Sequence, residues 1–464
     1  MRLGNQGGRK WQFLNASLLG LVLLCIPTTG RAQTCLGASQ GFNGVYGCTS
    51  GSSFVVQGTF AFVDAKQFDT GSGDICTAIG GALTAYYPGK QGVVIDARGF
   101  TSGSPPCAGN PWSSTPLPLS SIVLLPAGTI NVNVPWVLPK NTRIIGEGPG
   151  LTTLQATSSF PTGDDMIDMG NSTFCSTGDC PAIVVEHLTL NGNNRTGVNG
   201  IVNSYSQELG RVDDVAFNQI NGIALVIQSK DAANSGPYTK LTMSNVGTCL
   251  KISGMGASSP LYDLRGVHGV TCTLSTGATT GVILDAANVS LEDITVTAAA
   301  GTVNTQYGIV IGANYPVPDS VLFNIRGIGL KDVIQLSSNP QTPSVTAPNC
   351  PPYNSTTTYN VCNTTILGVT NSGSTNTIDD QLNSPITDAY VGMYVLGEPV
   401  LQGSSPMGFG NSRITTSPHV PSWLVGPGPA SSLDTCTVGS LYSEASGSGS
   451  TTLFGCNGHW AGIR

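Results

Sequence analysis

The sequence predicts an all-β solenoid, on three observations. Short apolar strands recur at a nearly fixed interval, Gly and Asn punctuate the segments between them, and helix-forming stretches are scarce. Of 464 residues, 60 are Gly and 29 are Pro, while 10% are charged. An ordinary soluble domain carries roughly 25% charged residues. Coiled coils and helical bundles need many Glu, Lys and Ala and few breakers, so both are excluded. Disorder is disfavoured as well, because 40% of the residues are apolar and Val, Ile, Leu and Thr gather in short runs that can bury a core.

Taken in order, the chain starts with Arg2, Arg9 and Lys10 ahead of the apolar stretch Leu18 to Ile26, then Pro27 and a small-residue site near Ala32. This is the layout of a secretory signal over residues 1–32, with 33–58 as a leader. The apolar stretch is too short to span a bilayer and no other run approaches 18 apolar residues, so a soluble, exported chain without a membrane span is expected. Cleavage after Ala32 leaves 15 basic against 26 acidic residues, a formal charge of −11. That balance argues against nucleic acid as a partner. An acidic polysaccharide would be repelled too unless a divalent cation bridged the two. Cys25 leaves with the signal. The other twelve cysteines fall as close neighbours: 35/48, 76/107, 175/180, 249/272, 350/362 and 436/456. An even number in an exported chain points to disulfides, nearest-neighbour pairing being one of several open connectivities. No CxxC occurs, which leaves zinc without support.

The segment Asp74 to Leu83 has apolar residues at helical spacing behind an Asp able to cap them, and reads as an amphipathic plug over the first coil. An open terminal coil would present unpaired strand edges, so a plug is expected there. Strands then begin at Val185, Val212, Tyr238, Leu264 and Leu291, stepping by 27, 26, 26 and 27 residues. Others begin near glycine, at Gly200, Gly222, Gly281 and Gly308. Several short strands per repeat with no room for a helix favour a β-helix over a leucine-rich or helical repeat. Asn191 and Asn218 occupy equivalent corners and are placed to stack. The Pro-, Ser- and Thr-rich stretch near 337–375 reads as an insertion, and Thr377 to Asp380 and Tyr394 to Gly397 as further coils, so that the solenoid covers 59–402. Residues 403–432 read as a Pro/Gly/Ser linker and 433–464 as a small Cys-bounded β-module.

The runs Phe62-Val63-Asp64-Ala65, Val93 to Phe100, Val123 to Gly128 and Ile144 to Gly150, with the plug between the first two, resemble the entry to the pectate-lyase-like superfamily. Val185 to Asn194 and Gln207 to Val212 are similar to later coils of that family. The resemblance implies a right-handed parallel β-helix with a short N-terminal capping helix. It also implies a secreted protein that acts on polysaccharide as a lyase or glycoside hydrolase. The superfamily includes esterases, phage tailspikes and non-catalytic surface proteins too, so a fibre-like rod that binds glycan or a partner is the competing expectation. β-helix rods often trimerise, which makes a homotrimer the oligomer to test.

In-register stacking sets neighbouring coils about 4.8 Å apart and turns equivalent positions into columns. At the regular interval one column reads Glu186, Asp213, Thr239, Arg265, Glu292, and the next His187, Asp214, Lys240, Gly266, Asp293. Glu186 and Asp213 on neighbouring coils match the roughly 5 Å carboxyl separation of a retaining glycosidase, and mutual repulsion would raise one of them toward a general acid. The same columns also read as a structural corner whose alternating charges relieve crowding. The resemblance implies an arginine base beside acidic residues that hold calcium. Arg211 and Arg265 are the candidates for the base, and Asp164, Asp165 and Asp168 for the metal ligands, with Asp214 beside the carboxylate pair. His187, Lys240, Tyr262 and His268 are candidate substrate-binding residues, and Tyr205, Tyr238 and Tyr262 read either as sugar-stacking or as strand aromatics. The motifs Trp-Ile-Asp-His, Arg-x-Pro-x-x-Arg, Asn-Thr-Asp and Gly-His-Gly are absent, as are GxSxG and HExxH.

Overall fold

The computed structural model describes most of residues 54–380 and short strands between 394 and 462; residues 1–53, the stretches 87–91, 101–104, 254–263 and 338–360, and some shorter ones lie outside the described residues. Alternating apolar residues dictate the architecture, because each short strand has one face to bury and only the next coil to bury it against. The result is a parallel β-solenoid of about nine turns with a single helix near its start. One sheet stacks Phe60–Asp64, Gly92–Asp96, Ser120–Leu124, Thr142–Ile145, Val184–Asn191, Arg211–Asn218, Tyr238–Val246, Val267–Leu274, Ser290–Thr297, Val321–Ile328 and Thr365–Ser372. A second sheet of nine strands runs from Trp136–Val137 to Asn376–Asp380. Between the sheets lies a continuous core in which Val185, Val212, Tyr238, Val267 and Leu291 stack as one column. This is the parallel β-helix that the resemblance implied.

The helix covers Ile75–Tyr86 and buries Ile75, Ala78, Ile79, Ala82 and Leu83 over the first coil. Asp74 caps it as expected. One carboxylate oxygen accepts from the Thr77 N–H at 2.8 Å, and the other accepts from the Ala108 N–H at 3.0 Å, tying the cap to the loop beneath. Cys76–Cys107, Cys175–Cys180 and Cys249–Cys272 are disulfides, three of the nearest-neighbour pairs. The pairs 35/48, 350/362 and 436/456 rest on residues or side chains outside those described. Tyr238 is fully buried, and its hydroxyl meets Ser235 and Asn203 at 2.7 Å each. It is a core residue and offers no face to a sugar.

The ladder corrects one step of the repeat. Tyr238 pairs with Val267, not Leu264, and Val267 pairs with Leu291, so the true steps from Val185 are 27, 26, 29 and 24. The coil that contains residues 254–263 is longer, and the next one shorter by the same amount. His268 therefore stacks on Thr239 and against Glu292, and Arg265 falls before the strand. Two later segments also differ from expectation. Thr365–Ser372, inside the stretch read as an insertion, pairs along its whole length with Val321–Ile328. Trp423–Gly426, inside the expected linker, is the first strand of a four-stranded sheet completed by Leu441–Glu444, Leu453–Cys456 and Trp460–Gly462.

Candidate functional site

Each long strand of the first sheet bends near its start at an equivalent residue. His187, Asp214, Lys240, Gly269, Asp293, Asn324 and Gly368 all take left-handed backbone with φ between 53° and 71°. The residues on either side of each are paired, so the seven form a column on successive coils. A left-handed residue leaves the ladder and turns its side chain outward at the bend, where Asp, Asn and Gly are the least strained choices. Beside this column runs a second one, Glu186, Asp213, Thr239, His268 and Glu292. The two columns make a charged face five coils long.

Glu186 is the anchor of that face. Its side chain is 3% exposed, yet it sits between Arg143, 40% exposed, and Arg211, 44% exposed. Arg143 Nε donates to Oε1 at 2.9 Å, with its Nη2 bound to the same oxygen, and Arg211 Nη2 lies 3.5 Å from Oε2. Asp213 accepts from the Thr239 hydroxyl and has Lys240 Nζ at 3.8 Å. Two imidazole–carboxylate pairs complete the row: His187 Nδ1 to Asp214 Oδ2 at 2.8 Å, and His268 Nδ1 to Glu292 Oε2 at 3.0 Å. Ser290 Oγ donates to the other oxygen of Glu292 at 2.9 Å. The structure thus brings Glu186, His187, Arg211, Asp213, Asp214, Lys240 and His268 onto one face. Arg265 is exposed and away from these columns, with its N–H bound to the Ser235 carbonyl at 2.9 Å. Tyr262 lies outside the described residues.

Asp164, Asp165 and Asp168 are elsewhere, on and just before the strand Asp165–Asp168 of the second sheet. Asp165 accepts from Asn199 Nδ2 at 2.8 Å. Burial, and then the Asp165 and Asp164 charges, push the Asp168 carboxyl up to about 8. At the far end of this sheet the fully buried Asp332 is pushed up to about 6, chiefly by burial; Asn376 Nδ2 donates to one oxygen at 2.7 Å and the Asp379 carboxylate lies against it. Among the described residues, no group of three or more His, Cys, Asp or Glu side chains is placed to hold a metal ion. Two members of this face were not placed on it by the regular repeat. Arg143 comes from a strand that precedes the regular repeat, and His268 enters the row only once the long coil is accounted for.

No protein-family model matches the chain, and no curated protein sequence does. Among solved structures, it is similar to the A-module of mannuronan C-5 epimerase AlgE4 from Azotobacter vinelandii. That match has 15% identity over 74% of this chain and 100% of that one, with a TM-score of 0.32. The AlgE6 A-module of the same organism matches at 14% identity over 72% and 99%, with a TM-score of 0.25. ORF18 of Geobacillus virus E2 matches at 13% identity over 72% of this chain and 59% of that one, with a TM-score of 0.35.

Proposed function

We propose that this is an exported carbohydrate-active β-helix that cleaves a polysaccharide laid along the charged face of its first sheet, by lyase chemistry. The observation that carries the reading is the placement of the His187–Asp214 pair on adjacent coils, with Arg211 beside it and Lys240 one coil further on. β-Elimination from a uronate needs a base and nearby cations: the imidazole takes the C5 proton, the C5–H electrons form the C4=C5 double bond as the C4–O4 bond breaks, the leaving O4 takes a proton from water, and the cations stabilise the charge that develops on the carboxylate. Asp214 orients the ring through Nδ1 and leaves Nε2 to take the proton. Hydrolysis is the weaker alternative, because Glu186 is held by two guanidiniums and Asp213 accepts from the Thr239 hydroxyl, so both carboxyls are already engaged within the face. The three disulfides support an oxidising, exported location, and no helix among the described residues is long and apolar enough to cross a membrane.

One observation favours a binding rod instead: Glu186, Asp213, Asp214 and Glu292 all have partners within the face, as a purely structural ladder would. The test is to incubate the purified protein with a panel of uronate and neutral polysaccharides, with and without calcium, following absorbance of unsaturated products and new reducing ends. The lyase reading expects unsaturated ends that His187→Ala abolishes and Lys240→Ala reduces, with the thermal transition unchanged. Reducing ends without unsaturation would replace it by hydrolysis. Retained polysaccharide binding without product would replace it by the rod.

A further inference from the structure

A second concave site lies at a different corner of the solenoid, where each coil passes from the first sheet to the second. Its shape follows from unequal turn lengths. The connections before the strands Asn199–Asn203, Ile223–Gln228, Thr248–Ser253 and Thr280–Asp285 are 192–198, 219–222, the single residue Gly247, and 275–279. The two short connections make a floor and the longer ones rise on either side. A Cβ on Gly247 would meet the Asn221 carbonyl oxygen at 2.2 Å, so that turn is pressed flat onto the coil before it. The cleft encloses about 630 Å³, within the usual range of small-molecule sites.

Its lining is mostly amide, hydroxyl and glycine, with Ile223 and Ala278 the apolar side chains and no Asp, Glu, Lys, Arg or His. Asn194, Asn221 and Asn245 stand on three successive coils, all exposed, and Asn245 Nδ2 reaches Asn194 Oδ1 at 3.3 Å across the coil between them. Thr276 and Thr279 on the opposite wall are exposed, and no hydrogen bond within the described residues engages their hydroxyls. A charged ligand entering here would give up hydration without meeting a counter-charge, and an apolar one would find no aromatic ring and only Ile223 and Ala278 among polar neighbours. Amides and hydroxyls together offer paired donors and acceptors, the pattern that vicinal hydroxyl groups satisfy.

We infer that this cleft is a binding site for a neutral oligosaccharide, separate from the charged face. Gly277 supplies the test, since a Cβ there meets nothing within 4 Å and its backbone is not left-handed, so Gly277→Trp fills the cleft without strain in the fold. Titration calorimetry with cellohexaose, mannohexaose, xylohexaose and maltohexaose, against hexagalacturonate, is expected to find binding of at least one neutral hexaose. Gly277→Trp should weaken that binding at least tenfold with the thermal transition unchanged, and Asn245→Ala should weaken it severalfold. His187→Ala should leave it unaltered, which separates this site from the face of the proposed reaction. No binding of any neutral hexaose, equal binding by Gly277→Trp, or loss of binding in His187→Ala would each overturn the inference.

Discussion

Arg143→Met should destabilise the protein more than Glu186→Gln, although the two changes break the same ion pair. The reason is an asymmetry of burial: the Glu186 carboxylate is 3% exposed, while Arg143 and Arg211 are 40% and 44% exposed. Without Arg143 the buried carboxylate keeps only Arg211, at 3.5 Å, and a buried charge stripped of its main partner costs about 3–5 kcal/mol. Without the charge on Glu186, both guanidiniums turn to water, and the amide still accepts one hydrogen bond. The loss is then that of charge-assisted bonds to half-exposed groups, about 1–2 kcal/mol. A gap of ~2 kcal/mol is measurable by denaturant midpoints. Because a solenoid can open in parts, amide hydrogen exchange over Val184–Asn191 should report the same order locally. If Glu186→Gln costs as much as Arg143→Met, the anchoring argument fails. If Glu186→Gln removes turnover at unchanged stability, the residue is a catalytic acid after all.

The two raised carboxyls make stability fall with pH. Asp332, near 6 when folded and near 3.8 when unfolded, holds its proton over that window while the unfolded chain releases it. Its contribution is full below about pH 4 and lost by about pH 6, on the order of 3 kcal/mol. Asp168 adds a further decline that continues to about pH 8. Melting curves from pH 4 to 9 should show this slope, and Asp332→Asn and Asp168→Asn should each flatten their own part of it; a slope unchanged in both variants would remove the account. Gly146→Ala should cost at least about 2 kcal/mol, since its Cβ would lie 2.2 Å from the His187 carbonyl oxygen and 2.9 Å from Leu188 and Thr152 side chains. A melting temperature equal to the parent's would contradict the close coil contact. Lys240→Gly should leave stability equal or raise it by up to about 1 kcal/mol by relieving its left-handed backbone, while lowering turnover on polysaccharide. A clear destabilisation would show that the contact with Asp213 outweighs the strain.

How far the molecule can be read from its sequence depends on the range of the interaction concerned. The core columns were legible because inward Val, Ile and Leu recur once per coil, and the capping helix because Asp74 precedes an amphipathic run. The failure at Leu264 has a specific cause: solenoids absorb extra residues in turns without disturbing the ladder, so a constant step cannot be projected through a long coil. Arg143 was invisible for a related reason. It reaches Glu186 from 43 residues away, and nothing local to either residue marks the pair. The neutral cleft exists only as a difference between neighbouring turn lengths, which becomes a shape once the coils are stacked.

The bend column separates what the backbone demands from what the side chains are for. Gly269, Asp293, Asn324 and Gly368 are residues that left-handed backbone favours, and Asp214 belongs with them, so their presence needs no functional cause. His tolerates this conformation as well, but His187 also pairs with the Asp214 below it in a way that Asn or Gly would not. Lys240 is the member for which the backbone gives no reason. Its long side chain is 71% exposed and its ammonium lies 3.8 Å from Asp213, too far and too open to repay the strain as an ion pair. On the proposed function Lys240 serves what lies outside the molecule, since a cation beside an imidazole–carboxylate pair on an open sheet face fits an anionic polymer. The face would then attract its substrate locally although the chain as a whole is acidic, because screening confines each field to within about 10 Å.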